Sequence, residues 1–315
     1  MSSTPRLSVA VPVHNEEAIL PELLRRLDAV LSAVPGGPHE MVFVDDGSSD
    51  RTFDILAEAA ARDSRILAIS LSRNFGHQAA LSAALDHVSG DLVVVMDGDL
   101  QDPPEAIPRL LEAQRGGFDV VYARRIGRKE AWMLRFAYFL FYRLIAAVSN
   151  IRLPLDAGDF ALLTRRVVES LRAIPEHHRY LRGLRAWVGF RQIGVPVERA
   201  ERFAGQSKYG PIRLLRLALD GLLGFSMAPL RAASLLGLAA IVGSLGYAAY
   251  AVYVKLFSGK TPTGFTALIV GVTLLSGVQL LVLGIIGEYV GRVYEETKGR
   301  PSYIIGRVAG RRPAR

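Results

Sequence analysis

The stretch that decides the fold is DLVVVMDGDLQDPPE, residues 91–105. Its first half is almost wholly apolar, which is typical of a parallel strand that is buried on both faces. Two carboxylates, Asp97 and Asp99, follow this run directly, and Pro103 then favours the first turn of a helix. A buried strand, an acidic loop and a helix in this order predict one unit of an α/β sheet, with polar groups at the carboxyl end of the strand.

The same alternation of strand and helix extends to both sides of this unit. Apolar runs of strand length, separated by turns and by stretches with helical spacing, predict a doubly wound, mostly parallel sheet. The predicted strands are residues 6–13, 39–45, 65–71, 91–96 and 118–123, and the predicted helices include 16–34 and 103–114. The first strand is followed by neither a G-x-G-x-x-G turn nor a Walker A loop, which argues against a dinucleotide or P-loop site.

The last third of the chain has a different composition. Residues 229–257 and about 265–288 are long apolar runs, and the turn-rich link between them is too short to hold a domain. At about 1.5 Å per residue, either run is long enough as a helix to cross a hydrocarbon core of about 30 Å. The sequence therefore predicts a transmembrane helical hairpin over residues 229–290. The alternative is a hairpin buried in a soluble core.

The charge of the chain is concentrated after this hairpin. Residues 291–315 hold seven Lys or Arg and two Glu, so they carry +5 of the formal net charge of +8. A basic segment directly after an apolar span is typical of a membrane-surface anchor, and this position argues against nucleic acid as a partner. The positive-inside rule places this tail and the domain of residues 1–228 in the cytoplasm. With no Cys in the chain, disulfides, thiolate metal sites and a Cys nucleophile are excluded.

Two amphipathic stretches precede the hairpin, near residues 131–149 and 211–227. They carry aromatic or Leu side chains together with a few Arg, and we expect helices that lie on the membrane surface. Ordinary packing into the core of the domain is the alternative.

Three polar clusters follow predicted strands, at residues 12–17, 45–50 and 97–105. The carboxyl ends of parallel strands meet at one edge of a sheet, so we expect a ligand site where these clusters meet. Asp97 and Asp99, with Gln101 as a third oxygen donor, suit Mg²⁺ or Mn²⁺ bound jointly with a diphosphate. A solvated acidic loop is the alternative. His14, in the first cluster, and His77 are expected to be polar lining, with contact to a nucleotide as the alternative.

Four motifs, three of which contain these clusters, together resemble those of inverting family 2 glycosyltransferases. They are VPVHNEE (11–17), VDDGSSD (44–50), SRNFGHQAAL (72–81) and DGDLQDPPE (97–105). More narrowly, AGDF (157–160), ERFAGQSKYG (201–210) and GEYVGRVYEETKGRPSYII (287–305) resemble the bactoprenol (undecaprenyl-phosphate) glucosyltransferases, relatives of dolichyl-phosphate mannose synthase. The resemblance implies an α/β fold of the GT-A type, Rossmann-like with a mostly parallel sheet, plus interfacial helices and the C-terminal transmembrane hairpin.

The resemblance also implies the reaction. A hexose, in the first instance glucose from UDP-glucose, would pass to undecaprenyl phosphate at the cytoplasmic face of the bacterial inner membrane, with Mg²⁺ or Mn²⁺ as cofactor. Other donors remain open: GDP-mannose, UDP-N-acetylglucosamine or a UDP-amino-arabinose derivative. A processive polysaccharide synthase is a weaker alternative, because the sequence contains no Q-x-x-R-W motif and only two spans. A non-catalytic membrane scaffold is a further alternative, and a homo-oligomer is left open.

Roles for the acidic residues of the site are carried over in the same way. Asp97 would lie near the nucleotide sugar and the metal, while Asp99 and Gln101 would hold the metal on the diphosphate. Asp159 would lie near the reacting sugar, where it orients the substrate or acts as a base.

Basic residues would serve both substrates. Arg124 and Arg135 would meet the acceptor phosphate. The residues implied for the nucleotide sugar are Pro12, Asn15, Glu17, Asp45, Asp46, Arg202, Ser207 and Lys208.

Overall fold

The apolar runs of the first part of the chain build a mixed β-sheet in the computed structural model, which describes residues 6–126, 157–176, 179–198, 228–258 and 264–310. Within these ranges the sheet contains the strands β1 (Leu7–Val13), β2 (Glu40–Asp45), β3 (Ile66–Leu71), β4 (Leu92–Val95), β5 (Val120–Ile126), β6 (Ala157–Thr164), β7 (Gln192–Glu198) and β8 (Ile305–Gly310). Their order across the sheet is β7-β5-β6-β4-β1-β2-β3-β8.

The parallel part of the sheet agrees with the sequence prediction. Strand β1 pairs in parallel with β2 and β4, and β2 pairs in parallel with β3. All seven residues of β1 are buried, because helices cover both faces of such a sheet. The exceptions to the parallel arrangement are β6, which runs antiparallel to both β4 and β5, and β8, which runs antiparallel to β3.

Six helices accompany the sheet in the described residues. They are α1 (Leu20–Ala33), α2 (Thr52–Arg62), α3 (His77–His87), α4 (Ile107–Gln114), α5 (Arg165–Arg172) and α6 (Leu181–Trp187). The helical spacing of α1 places Leu20, Leu23 and Leu27 on one face, and all three are fully buried in the main apolar core. A single 3₁₀ turn, Pro104–Ala106, precedes α4, so the helix predicted from Pro103 begins in this tighter form.

The predicted hairpin is formed by α7 (Ala228–Ser258) and α8 (Phe265–Thr297), which belong to a second compact unit. The spans Ala232–Phe257 and Leu268–Thr297 are long and apolar enough to cross a membrane, and none of their most apolar stretch is buried. A hairpin inside a soluble core would bury these side chains. The exposed apolar surface therefore indicates association with a membrane.

The residues after the hairpin, predicted only as a basic tail, contain further helix and a strand. Helix α8 continues to Thr297, and β8 then covers the edge of the sheet beside β3, with Ala68 opposite Ala309. The reason is that the outer edge of β3 has backbone groups to pair, which the basic composition of the segment does not reveal. The Arg307 guanidinium lies over the Phe53 ring, 4.2 Å from its centroid. Residues 301–310 therefore complete the domain that precedes the hairpin.

Tyr303 anchors this returning segment. Its hydroxyl donates a hydrogen bond of 2.8 Å to Oδ2 of Asp86 at the end of α3, and burial raises the pKa of Tyr303, with Asp86 adding to the rise. We expect Tyr303→Phe to lower the free energy of unfolding by about 0.5–1.5 kcal/mol, because one hydrogen bond is lost. Thermal unfolding of the purified protein measures the change. Unaltered stability would show that this contact does not hold the segment.

Candidate active site

The loops after β1 and β2 meet at the carboxyl edge of the sheet, as predicted. The backbone N–H of Asn15 donates to Oγ of Ser48 at 2.9 Å, and the N–H of Ser49 donates to Oδ1 of Asn15 at 2.9 Å. Asn15 takes a left-handed backbone conformation with φ 54°, which a non-glycine residue adopts rarely and mostly at turns and functional sites. Glu17 joins the same network, since its carboxylate accepts from the N–H of Arg51 at 3.1 Å.

Asp45 and Asp46 use their carboxylates to hold these loops. Asp45 accepts a hydrogen bond of 2.7 Å from the Ser70 hydroxyl, and Asp46 accepts bonds of 2.7 Å and 3.0 Å from the N–H groups of Phe75 and Gly76. Burial raises the pKa of Asp46 in spite of these donors. Pro12, also assigned to the nucleotide sugar, is buried in β1. Contacts of these residues with base and ribose stay a prediction.

Gly47 brings the loop after β2 close to the loop after β3. Its φ is +63°, and a Cβ atom there would lie 2.4 Å from the carbonyl carbon of Arg73 and 2.6 Å from the N of Asn74. We expect Gly47→Ala to lower the free energy of unfolding by roughly 2–4 kcal/mol, because left-handed strain adds to a clash with backbone. The matched control is Gly299→Ala, with φ +58° and open space around the new Cβ, which should lose only about 1 kcal/mol. Equal losses in thermal unfolding would contradict the close approach.

The acidic loop after β4 meets β6 through the register of the sheet. Val95 lies opposite Ala161 in the antiparallel pairing of β4 with β6. Two residues further along, the same register brings Asp97 next to Asp159. His77, the first residue of α3, completes the group: its Nε2 lies 3.5 Å from Oδ1 of Asp97 and 3.9 Å from Oδ2 of Asp159.

These three residues form a set of ligand atoms for a cation. The donor atoms of His77, Asp97 and Asp159 all lie within 4.8 Å of one another. The side chains of His77, Asp97 and Asp159 retain relative exposures of 44%, 24% and 16%, so the group lies in a recess that still meets solvent. One imidazole and two carboxylates suit a first-row divalent metal.

The two carboxylates differ in their electrostatics. Burial raises the pKa of Asp97 to about 6; the charge of His77 opposes this rise, and Asp159 and Asp99 add to it. Burial alone would also raise the pKa of Asp159, but Arg182, His77 and Arg185 together lower it below its ordinary value. Neighbouring acids with pKa values shifted in opposite directions are typical of functional sites.

Asp99 and Gln101 lie on a tightly constrained turn. Oδ1 of Asp99 accepts a hydrogen bond of 3.1 Å from the backbone N–H of Gln101. Leu100, between them, is buried and has a left-handed φ of 57°, which costs roughly 1–3 kcal/mol and persists only where the surroundings enforce it. Among the described residues, the closely spaced donor group contains Asp97 together with His77 and Asp159. Metal ligation by Asp99 and Gln101 stays a prediction.

The remaining residues assigned to the acceptor and to the nucleotide sugar are only partly within the described ranges. Arg124 is exposed on β5, where it lies opposite Ala157 of β6 and Pro196 of β7. Arg135, Arg202, Ser207, Lys208 and the two amphipathic stretches fall outside the part of the chain that the structure describes.

Sequence reasoning did not place His77 or Arg182 beside Asp97 and Asp159, where the structure has them. The signal for His77 was its place after Gly76 in SRNFGHQAAL, where a strand-to-helix turn delivers the first helical residue to the carboxyl edge of the sheet. Arg182 lies on α6, with its guanidinium 3.2 Å from Oδ2 of Asp159. Its only sequence signal was a pair of Arg residues on one helical turn, which is also common on solvated helices.

Comparison with known proteins agrees with this architecture. The family model described as "Glycosyl transferase family 2" matches residues 8–172. The chain is 42% identical over 311 residues to "Uncharacterized glycosyltransferase YkcC" of Bacillus subtilis, covering 98% of this chain and 96% of that protein. It is 40% identical over 301 residues to "SfII prophage-derived bactoprenol glucosyl transferase" of Shigella flexneri, covering 95% and 97% of the two chains.

A third relative carries the name of a different sugar. The chain is 37% identical over 309 residues to "Undecaprenyl-phosphate 4-deoxy-4-formamido-L-arabinose transferase" of Edwardsiella ictaluri, covering 96% of this chain and 94% of that protein. Family match, full-length similarity and the mostly parallel sheet with its acidic carboxyl edge lead to one conclusion: the chain belongs to glycosyl transferase family 2 and is a glycosyltransferase of the GT-A fold.

Proposed function

We propose that this glycosyltransferase transfers one hexose, in the first instance glucose from UDP-glucose, to undecaprenyl phosphate at the cytoplasmic face of the bacterial inner membrane. The observation that carries the proposal is the group of His77, Asp97 and Asp159 at the carboxyl edge of the sheet, in a chain that also has two long exposed apolar helices. The acceptor is supported by the names of two relatives, one a bactoprenol glucosyl transferase and one an undecaprenyl-phosphate sugar transferase.

The residues fit a divalent cation. A nitrogen donor and two carboxylate donors lie within 4.8 Å of one another, and Asp97 has a pKa raised to about 6 because burial and neighbouring acids leave its charge poorly compensated. His77, Asp97 and Asp159 would hold the ion, with Asp99 and Gln101 as the further predicted ligands. When bound, Mg²⁺ or Mn²⁺ supplies positive charge to the diphosphate of the donor.

The transfer needs little acid–base chemistry from the protein. An oxygen of the acceptor phosphate, already an anion near neutral pH, forms the new bond to C1 of the sugar. The bond from C1 to the donor diphosphate breaks, and its electron pair leaves with the nucleoside diphosphate. Attack opposite the leaving group inverts the configuration at C1. The work of the site is therefore to hold two anionic substrates in line. We assign Asp159 to holding the cation that orients the donor, rather than to removal of a proton.

The position in the membrane follows from charge and hydropathy. Residues 229–257 and 265–288 would span the bilayer, and the +5 segment of residues 291–315 would lie with the catalytic domain on the cytoplasmic side.

The donor is the part of the proposal with a specific rival. The relative named for 4-deoxy-4-formamido-L-arabinose favours keeping an amino-arabinose nucleotide beside UDP-glucose as a candidate. Purified protein should be incubated with each of four nucleotide sugars, with and without undecaprenyl phosphate, and the released nucleoside diphosphate measured. We expect release of UDP from UDP-glucose only in the presence of the lipid phosphate. If nucleoside diphosphate is released only from a different nucleotide sugar, that sugar is the donor instead of UDP-glucose. If the release is the same with and without undecaprenyl phosphate, the proposed acceptor is wrong.

A further inference from the structure

The Asp159 carboxylate is hydrogen-bonded and ion-paired to Arg182 of α6. Nε of Arg182 donates to Oδ1 of Asp159 at 3.3 Å, and Nη2 of Arg182 lies 3.2 Å from Oδ2 of the same carboxylate. The guanidinium therefore engages both carboxylate oxygens, the fork arrangement that fixes the plane of a carboxylate as well as its position. The side chains are 24% and 16% exposed, so water competes little for this pair.

The surroundings of the pair are mainly apolar. Beside Asp159 and Arg182 lies a cavity of about 20 Å³, walled mainly by leucine side chains of α3, α5 and α6 and by Val95 and Ala161. Arg185, one turn further along α6, is buried and donates to the carbonyl oxygen of Gly158 at 3.3 Å. A second arginine thus ties α6 to the backbone next to Asp159. In such a poorly solvated place a charge-assisted pair is strengthened and kept in one arrangement.

The carboxylate held in this way faces the other two donors of the group. Oδ2 of Asp159 approaches Nη2 of Arg182 at 3.2 Å and Nε2 of His77 at 3.9 Å. We propose that Arg182 is a positioning residue, whose guanidinium fixes the Asp159 carboxylate in the orientation that lets it share a divalent cation with His77 and Asp97. The inference rests on the cation site of the proposed function, and it adds a residue that has no place in the acidic motifs.

Arg182 could affect the cation by orienting Asp159 or by its own positive charge. Removal of Arg182 is expected to change the affinity for Mn²⁺ in opposite directions in these two cases. Arg182 carries a positive charge close to the donor group, so if charge were its whole effect, removing it would tighten binding of Mn²⁺. If Arg182 orients a ligand, removing it frees the Asp159 carboxylate and weakens binding. Loss of a partner that orients a metal ligand typically costs about 10- to 100-fold in metal affinity. The sign of the change therefore separates the two effects.

A matched control lies at the other end of the sheet. Arg166 forms an ion pair with Asp119, which is also buried and stands just before β5. Because β5 runs parallel to β4, Asp119 lies at the edge opposite to Asp97. Removing the Arg166 guanidinium also breaks an Arg–Asp pair, but without touching the donor group.

The experiment measures Mn²⁺ affinity of the full-length protein without nucleotide, from the electron paramagnetic resonance signal of free Mn²⁺. We expect Arg182→Met to raise the dissociation constant about 10- to 100-fold and Arg182→Lys to recover part of the loss, since lysine keeps the charge but has no fork. Arg166→Met should stay within about twofold. In an Asp159→Asn background, Arg182→Met should add less than about threefold, because its effect acts through Asp159.

Several results would overturn the inference. They are unchanged or tighter Mn²⁺ binding by Arg182→Met, a full additional loss in the Asp159→Asn background, or no Mn²⁺ binding by the unmodified protein. The Lys variant protects the test against a Met variant that fails to fold. Mn²⁺ binding that follows the expected pattern in a protein that transfers no sugar to the lipid would contradict the proposed transfer reaction while leaving the role of Arg182 intact.

Discussion

Asp97→Asn is expected to lower the rate of sugar transfer by about 10²–10³-fold, because Asp97 would hold the cation that stabilises the charge developing in the transition state. Asp97 follows the buried strand β4 and lies 3.5 Å from His77, so it is central to the donor group. Asparagine keeps the size of the side chain but binds a divalent cation poorly. The measurement is the initial rate of nucleoside diphosphate release at saturating donor and acceptor. If the Asp97→Asn enzyme keeps its activity, Asp97 has no essential role in sugar transfer.

The same substitution should stabilise the fold in metal-free buffer. The pKa of Asp97 rises from 3.8 to about 6 on folding, so below pH 3.8 the residue is protonated in both states and its ionisation has no effect. Between these values the unfolded chain ionises first, and folding loses stability as the pH rises. At one pKa unit per 1.36 kcal/mol, the loss above pH 6 approaches roughly 3 kcal/mol. Asp97→Asn should recover about 1–3 kcal/mol of this at pH 8, measured by thermal unfolding.

Asp50→Asn is the control of opposite sign. Burial would raise the pKa of Asp50, but hydrogen bonds from Thr52 and Glu17 lower it below its ordinary value. Its carboxylate therefore stabilises the fold above the unfolded pKa of about 3.8, and Asp50→Asn should be destabilising at pH 8. If Asp97→Asn is destabilising as well, the raised pKa of Asp97 is wrong.

Removal of divalent metal should abolish transfer. With excess EDTA we expect activity to fall at least about 100-fold, because the diphosphate leaving group loses its compensating charge. Addition of Mn²⁺ or Mg²⁺ should restore it, and Mn²⁺ should act at lower concentration. The imidazole of His77 is a nitrogen donor, which suits Mn²⁺ better than the strictly oxygen-seeking Mg²⁺.

His77→Gln makes this preference testable within the same chain. An amide oxygen in place of the imidazole should narrow the difference between the half-saturating concentrations of Mn²⁺ and Mg²⁺ by roughly tenfold. Full activity in excess EDTA would contradict the metal assignment. If His77→Gln keeps the same preference for Mn²⁺ over Mg²⁺, only the role of His77 as a metal ligand would be contradicted.

The sequence was sufficient for the parts of the fold that local patterns determine. The wholly apolar runs at β1 and β4 and the spacing of Leu20, Leu23 and Leu27 on α1 follow directly from burial on one or two faces. The two long helices after residue 228 could likewise be predicted from their apolar runs. Each of these features depends on residues close together in the chain.

The composition of the donor group was harder to predict, because it depends on pairing between distant strands. Asp159 meets Asp97 only because β6 inserts antiparallel between β4 and β5, and nothing in the sequence AGDFALLT sets that register. His77 reaches the group through the turn after β3. Strand β8 was missed for the same reason: its basic residues favoured a surface tail, whereas the open edge of β3 is a property of the assembled sheet.

The most direct test of the central claim is the mass of the lipid product. The full-length protein in detergent or bilayer, with UDP-glucose, Mn²⁺ and undecaprenyl phosphate, should yield a lipid heavier than undecaprenyl phosphate by one hexose residue. The Asp97→Asn protein should yield almost none. Free glucose in the aqueous phase, or a lipid carrying a chain of several hexoses, would contradict single transfer to a polyprenyl phosphate.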